Sequence, residues 1–354
     1  MGSYAMTANK YWDIRRTLTH NCLFNFIIGN RGAGKTFGSL DYAIDKHLKE
    51  KAKGRNWQFL YVRRLTTELE KLTIMRGGRL FKSVEKKYPD HVFKAESNIL
   101  TCDKKVMGYA VPLSTASIMK SDSFPDVQMI IFDEFIIDNS GTYHYLKDEV
   151  RKFLDLYETV ARPGTNHPPV IVFFLSNAVS IANPYFDYFY LNKPYHGEFQ
   201  KFGKTKDILV QNVEVSQLKE DKHNSRFGQL IDGSEYSAYA IDNEWLLDNN
   251  DFIEKKTQRC EYRMSLRYKD TWLGVWYDPV QWLYFISTDV DLSHPAKYSA
   301  TTDDHKPNIM LMRLGKSLSD MKHLTSAYNM GAVRYESIKI KNWFRDIMRM
   351  QHAS

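Results

Sequence analysis

The sequence predicts an α/β architecture with a largely parallel sheet covered on both faces. Three observations carry that prediction. Short, mostly apolar runs at residues 23–28, 57–62, 127–132 and 170–175 have the length and the Phe, Ile, Val and Leu content of buried strands. Segments of helical periodicity separate them, as at residues 35–49, where Leu40, Ala43, Ile44 and Leu48 recur on one face. The alternation fades after Tyr190, and a different, strand-dominated pattern begins at Phe252.

Taken in order, the first strand is residues 23–28, followed by a glycine-rich turn and the helix at 35–49. The strand at 57–62 runs into the basic pair Arg63-Arg64. Residues 67–87 read as helical with an interruption at Gly77-Gly78. Residues 98–110 form a hairpin whose turn carries Asp103-Lys104-Lys105. The strand at 127–132 ends in Asp133-Glu134, residues 146–160 are helical, and the strand at 170–175 ends in Ser176-Asn177. Further on, strands at 262–268, 271–277 and 282–287 are separated by the turns Lys269-Asp270 and Asp278-Pro279, which is a β-meander. Helices at 309–328, weakest at Gly315, and at 339–350 close the chain. The resulting organisation is an N-terminal tail at 1–10 (in part of non-native origin, ahead of a start at Met6), a nucleotide-binding domain at 11–215, a polar linker at 216–250 and a C-terminal domain at 251–354.

One motif gives the first domain its chemistry. Gly29-Asn30-Arg31-Gly32-Ala33-Gly34-Lys35-Thr36 matches the phosphate-binding P-loop in full, and it lies between a strand and a helix as that loop requires. Backbone N–H groups from Gly29, Arg31, Gly32 and Gly34 would surround phosphate oxygens, and the helix N-terminus adds its positive end. Lys35 would reach the β- and γ-phosphates, and Thr36 would offer its hydroxyl oxygen to Mg²⁺. The acids that follow residues 127–132 supply the second half: Asp133 would hold the Mg²⁺ shell and Glu134 would orient the attacking water. Without the loop upstream, the pair would read as well as a solvated strand end. Asn177 reads equally as a γ-phosphate sensor or as an asparagine closing a turn. Phosphoryl transfer also calls for an arginine; Arg162, Arg31 and the Arg63-Arg64 pair are candidates, although a solvated loop is the commoner fate of a single Arg. The fold class is thus a P-loop NTPase of the additional-strand, catalytic-glutamate class, with ATP and Mg²⁺ as its ligands.

Composition narrows the setting. The net charge of +7 permits a polyanionic partner but is too modest to demand one. The three cysteines, Cys22, Cys102 and Cys260, form no metal-type pair and fit a reducing compartment. No apolar run approaches the roughly eighteen residues of a membrane span.

The chain resembles the DNA-packaging ATPases of small phi-29-like tailed phages. The resemblance rests on residues 26–35, Tyr61-Val62-Arg63-Arg64, Ile131-Phe132-Asp133-Glu134-Phe135, Leu175-Ser176-Asn177-Ala178-Val179 and Asn183-Pro184-Tyr185-Phe186, and then on residues 226–236, Leu273-Gly274-Val275-Trp276 and Thr301-Thr302-Asp303-Asp304. It implies a pentameric ring on the portal of an empty capsid that drives double-stranded DNA inward with ATP, with a structural packaging RNA as a further partner. It implies action in the host cytoplasm, transiently on the procapsid, and absence from the mature virion. By position it makes Arg162 a finger acting in trans. It puts Thr66 where the family can carry a lysine, which removes that lysine's role here. It also implies an α+β, RNase H-like C-terminal domain, degenerate as a nuclease; Asp270, Asp278, Asp289 and Asp291 are its available acids, and no cleavage is expected. A DNA grip through the backbone calls for exposed cations, and Lys104, Lys105 and the loop containing Lys120 are the candidates. The competing readings are a helicase-like nucleic-acid-dependent ATPase with no capsid partner and a small-molecule P-loop kinase.

Overall fold

The computed structural model describes residues 11–73, 79–121, 123–137, 144–162, 169–181, 183–191, 197–213, 215–232, 251–315 and 319–352. The chain divides into two compact units, Met1–Leu246 and Leu247–Ser354.

The first unit runs α1 (Ile14–Leu18), β1 (Phe24–Gly29), α2 (Lys35–Ala52), β2 (Gln58–Arg63), α3 (Thr66–Thr73), β3 (Phe93–Glu96), β4 (Ile99–Cys102), β5 (Lys105–Pro112), β6 (Val127–Asp133), α4 (Glu149–Val160), β7 (Ile171–Ser176), α5 (Pro184–Tyr188), β8 (Phe199–Phe202), β9 (Ile208–Val213), α6 (Ser216–His223) and α7 (Arg226–Ile231). Its nine strands form one sheet in the order β3-β4-β5-β2-β6-β7-β1-β9-β8. The six central strands, β5 to β9 in that order, are mutually parallel, and antiparallel pairs finish both edges. Burial on both faces explains why β1, β6 and β7 read as mostly apolar runs. Side chains alternate between the faces. Ile27, Phe59, Tyr61, Ile131, Phe173 and Leu175 pack on the α2 side with Leu40, Ala43 and Ile44. The opposite face is aromatic: Phe26 stacks on Phe174 at 4.3 Å between ring centroids, and Phe153 of α4 stacks on Phe132 at 5.6 Å.

Register positions the site. Ile28 of β1 lies beside Ser176 of β7, and Asp133 of β6 lies beside Leu175. The carboxyl ends of β1, β7 and β6 therefore finish level, which is where parallel α/β sheets bind ligands.

The second unit contains β10 (Glu261–Tyr268), β11 (Thr271–Asp278), β12 (Leu283–Ser287), β13 (Lys297–Ser299), β14 (Met310–Leu311), α8 (Ser319–Asn329), β15 (Val333–Tyr335) and α9 (Ile338–His352). The six-stranded sheet has the order β14-β13-β10-β11-β12-β15. The meander β10–β11–β12 is antiparallel, whereas β13, β14 and β15 each join a neighbour in parallel. Lys269 and Asp270 both have positive φ, 49° and 57°, the signature of a tight two-residue hairpin. Phe344, Ile347 and Met348 of α9 join Met321 and Leu324 of α8 in one core with Met264, Leu266, Val275 and Ile286.

Several expectations are corrected. The helix expected over 67–87 ends at Thr73, and residues 85–87 form only a short 3-10 turn; the glycine pair that interrupts it lies outside the described residues. The helix expected over 309–328 starts at Ser319, because Met310–Leu311 pairs with β13 instead. Sheet structure continues past residue 190 through β8 and β9. A polar residue inside β9, Gln211, is buried but satisfied: it accepts from Trp12 Nε1 at 3.0 Å and Thr17 Oγ1 at 2.6 Å, and donates to Glu198 at 3.0 Å. The stretch expected to be a linker with some structure of its own carries α6 and α7 at its start, and residues 233–250 lie outside the described residues.

Candidate functional site

The loop after β1 turns through Gly32 and Gly34 at φ of 86° and 82°, values that a side chain would strain. The turn aims the N-terminus of α2 across a cleft of about 500 Å³, whose lining includes Gly32, Lys35, Thr36, Asp133, Glu134 and Asn177. Lys35 is buried, and its Nζ donates to the carbonyls of Gly29 at 2.8 Å and Asn30 at 2.9 Å and to Asn177 Oδ1 at 3.2 Å. Burial lowers its pKa to about 7; Lys222 adds to that, and Asp133 works against it. Phosphate oxygens would offer this ammonium the negative partner that the carbonyls only approximate.

Thr36 Oγ1 lies 3.0 and 3.2 Å from the two carboxylate oxygens of Asp133, so a hydroxyl and a carboxylate meet at one point. Such hard oxygens suit Mg²⁺. Tyr61, fully buried on β2, donates to Asp133 Oδ2 at 2.8 Å and fixes the carboxylate from the other side. Burial raises the Asp133 pKa, opposed by Arg63 and by the hydrogen bonds from Tyr61 and Thr36.

Glu134 follows at φ 59°, a left-handed backbone that turns its side chain out of line with the strand. Its carboxylate accepts from Arg63 Nη2 at 2.7 Å, and Arg63 Nη1 stands 3.6 Å from Asp133. Burial opposes the charge on Arg63, but Tyr61, Asp133, Glu134 and Glu68 outweigh it and raise its pKa. Arg63 thus grips both acids at once.

Arg64 points the other way. It is 1% exposed and bonds Glu149 through both Nε at 2.8 Å and Nη2 at 2.9 Å. It also donates to the carbonyls of Glu134 at 3.1 Å and Phe135 at 2.6 Å. That removes Arg64 from the finger candidates: it is a bolt that holds the turn after β6 to the start of α4. Arg31 lines the cleft, whereas Arg162 is exposed just beyond α4 and does not.

Lys104 and Lys105 are exposed at the β4–β5 turn, where Lys104 takes φ 64°. Lys120 falls within a 3-10 segment, Leu113–Ser121, rather than in a loop, and its side chain lies outside the described positions. Beside that hairpin His91, Cys102 and Asp103 form the one cluster of potential metal ligands among the described residues. Its groups already serve the turn: Asp103 accepts from His91 at 2.9 Å and from Val92 N–H at 3.0 Å and pairs with Lys51 at 3.8 Å.

The roles of Tyr61 and Lys222 are absent from the sequence reading, and Arg63 enters there only as a finger candidate. A signal for the first existed: Tyr61 and Arg63 are two apart on one strand and so share a face.

The sheet, loop and acidic strand end define an α/β protein arranged in the manner of P-loop proteins. The podovirus DNA encapsidation protein (Gp16) family matches residues 6–353, and the chain belongs to that family. It is 37% identical over 322 residues to the DNA packaging protein of Bacillus phage B103, covering 90% of this chain and 94% of that one. It is 33% identical over 344 residues to the DNA packaging protein of Bacillus phage phi29, covering 97% and 98%. Among solved structures, a chain of the bacteriophage phi29 viral genome packaging motor assembly matches with a TM-score of 0.73 at 32% identity, over 97% of this chain and 100% of that one. The N-terminal domain of the DNA packaging ATPase from bacteriophage phi29 matches with a TM-score of 0.51 at 33% identity, over 58% of this chain and 97% of that one. No helix among the described residues is long and apolar enough to cross a membrane.

Proposed function

We propose that this DNA encapsidation protein is an ATPase whose turnover drives double-stranded DNA into a preformed capsid through its portal. The observation that carries the proposal is the meeting of Lys35, Thr36, Asp133, Glu134 and Asn177 at the level ends of β1, β6 and β7. The insertion of β7 between the loop strand β1 and the acidic strand β6 supports the additional-strand class. Thr36 and Asp133 would hold Mg²⁺, which when bound supplies positive charge at the β- and γ-phosphates. Lys35 and the loop amides bind and orient the triphosphate. Asn177, already bonded to Lys35, reports on the terminal phosphate. Glu134 positions the attacking water once its carboxylate leaves Arg63, so Arg63 sets when the glutamate is available. Glu134→Gln is expected to keep ATP affinity and lose at least about a hundredfold in turnover. Measured binding and hydrolysis that fall together would contradict that role.

Arg162 lies outside its own cleft, which suits a finger offered to the next subunit of a homo-oligomeric, pentameric ring. Mixing Arg162→Ala with Lys35→Ala chains should restore hydrolysis that neither chain has alone; a mixture as inactive as its components would contradict action in trans. Lys104 and Lys105, exposed at the β4–β5 turn, are the cations offered to phosphates, in which case DNA affinity falls with salt. A packaging RNA and the portal are the remaining partners, and the procapsid in the host cytoplasm is the place of action.

The second unit's sheet order and senses support an RNase H-like reading. Among the described residues its acids form no group of three or more that could hold a metal: Asp270 and Asp278 cap opposite ends of the meander's middle strand, Asp278 is tied to Thr257 at 2.6 Å, and Asp289 pairs with Lys256 at 3.0 Å. Two-metal cleavage needs acids around ions only roughly 3.5–4 Å apart, so no nuclease activity is proposed.

A further inference from the structure

Residues 216–232 look, from sequence, like the start of a linker, yet one of their side chains reaches the phosphate loop. Lys222, on the last turn of α6, donates from Nζ to the backbone carbonyl of Arg31. The stem of the lysine runs past Gly32, where an added Cβ would come within 4.0 Å of Lys222 Cε. The other end of Lys222 is fixed as well. Its carbonyl accepts from Ser225 Oγ at 2.7 Å, and Ser225 Oγ in turn accepts from Gly228 N–H at 2.9 Å as the N-cap of α7. Gly228 is required at that corner, because a Cβ there would stand 1.9 Å from the Lys222 carbonyl oxygen. The α6–α7 corner is therefore a rigid mount that aims one cation at the outer side of the loop.

The chemistry gives that contact a purpose. A loop that turns its N–H groups inward toward phosphate turns carbonyls outward, and an outward carbonyl needs a donor. A charged donor is the stronger choice. Lys222 is half-buried in doing this, and its charge is felt at Lys35. Asp133 offsets only part of the cost of the Lys35 charge, and a polyphosphate in the loop would relieve the repulsion that Lys222 adds there.

We propose that Lys222 is a nucleotide-positioning residue: it holds the Arg31 carbonyl outward, keeps the loop amides facing the phosphates, and makes α6–α7 respond to occupancy of the loop. The proposal rests on the ATP reading above. The test uses the full chain, a fluorescent ATP analogue for affinity, steady-state hydrolysis, and hydrogen exchange of residues 216–232. Lys222→Met should weaken nucleotide binding about tenfold, raising KM more than it lowers kcat. Lys222→Arg should bind within about twofold of the natural chain, as a donor of the same charge. Nucleotide should slow exchange across residues 216–232 in the natural chain and not in Lys222→Met. A Lys222→Met chain with unchanged affinity, or with the same nucleotide-induced protection, overturns the proposal while leaving the ATP reading intact. A natural chain that binds no nucleotide overturns both.

Discussion

Lys35→Ala is expected to lower ATP turnover by at least about a thousandfold without destabilising the fold. The two halves of that statement have one cause. Lys35 is buried, and all three of its N–H donors are aimed at loop carbonyls and Asn177, positions that only a phosphate completes electrostatically. Removing it takes away the one ammonium in the loop that can follow charge onto the leaving phosphates. Burial also makes its charged form a cost to the folded chain, as the lowered pKa of about 7 records. The sign follows. Between about pH 10, the ordinary lysine range, and pH 7 the folded chain binds fewer protons here than the unfolded one. The natural chain therefore loses stability as pH falls through that window, and the loss is complete below it. Denaturant titrations should show the stability of Lys35→Ala relative to the natural chain rising as pH falls from about 10 to 7, and a relative stability that stays level or falls over that window would contradict this linkage.

Arg64→Met is expected to cost about 3–5 kcal/mol of stability, the price of leaving a buried charge unpaired. Glu149 is 2% exposed, and besides its two bonds from Arg64 it accepts from Tyr185 Oη at 3.1 Å and from Leu146 N–H at 2.8 Å. Those two donors are too few for an isolated buried carboxylate. The carbonyls of Glu134 and Phe135 lose their donor in the same step, so the backbone that presents Glu134 loosens and turnover falls with stability. The double variant Arg64→Met with Glu149→Leu removes both charges and should recover part of the loss. Urea unfolding separates the cases. A single variant within about 1 kcal/mol of the natural chain, the range of an exposed pair, would show that the pair is not the bolt described.

The strands that build the site were the legible ones. β1, β6 and β7 are mostly apolar because both their faces are covered, and β6 and β7 stop at polar residues, Asp133 and Ser176, that line the cleft. The short strands β13, β14 and β15, of two or three residues, exist only through their neighbours and carry no period to detect. The pairing of Arg63 with Glu134 depends on β2 lying beside β6, with Val62 level with Phe132, and that adjacency is set by the whole sheet. The same limit hid the division of labour in Arg63-Arg64: β2 ends at Arg63, which pairs with Asp133 and Glu134, whereas Arg64, just past the strand, turns into the core to meet Glu149. Lys222 was hidden more deeply, since it meets a loop 191 residues earlier in the chain.

If the cleft at the ends of β1, β6 and β7 hydrolyses ATP in the service of moving double-stranded DNA, the DNA should govern its rate. The most direct test is the rate of ATP hydrolysis by the assembled protein with and without linear double-stranded DNA. DNA should accelerate hydrolysis, and Lys35→Ala should abolish it in both conditions. A rate that DNA leaves unchanged, or one that survives Lys35→Ala, would contradict that role.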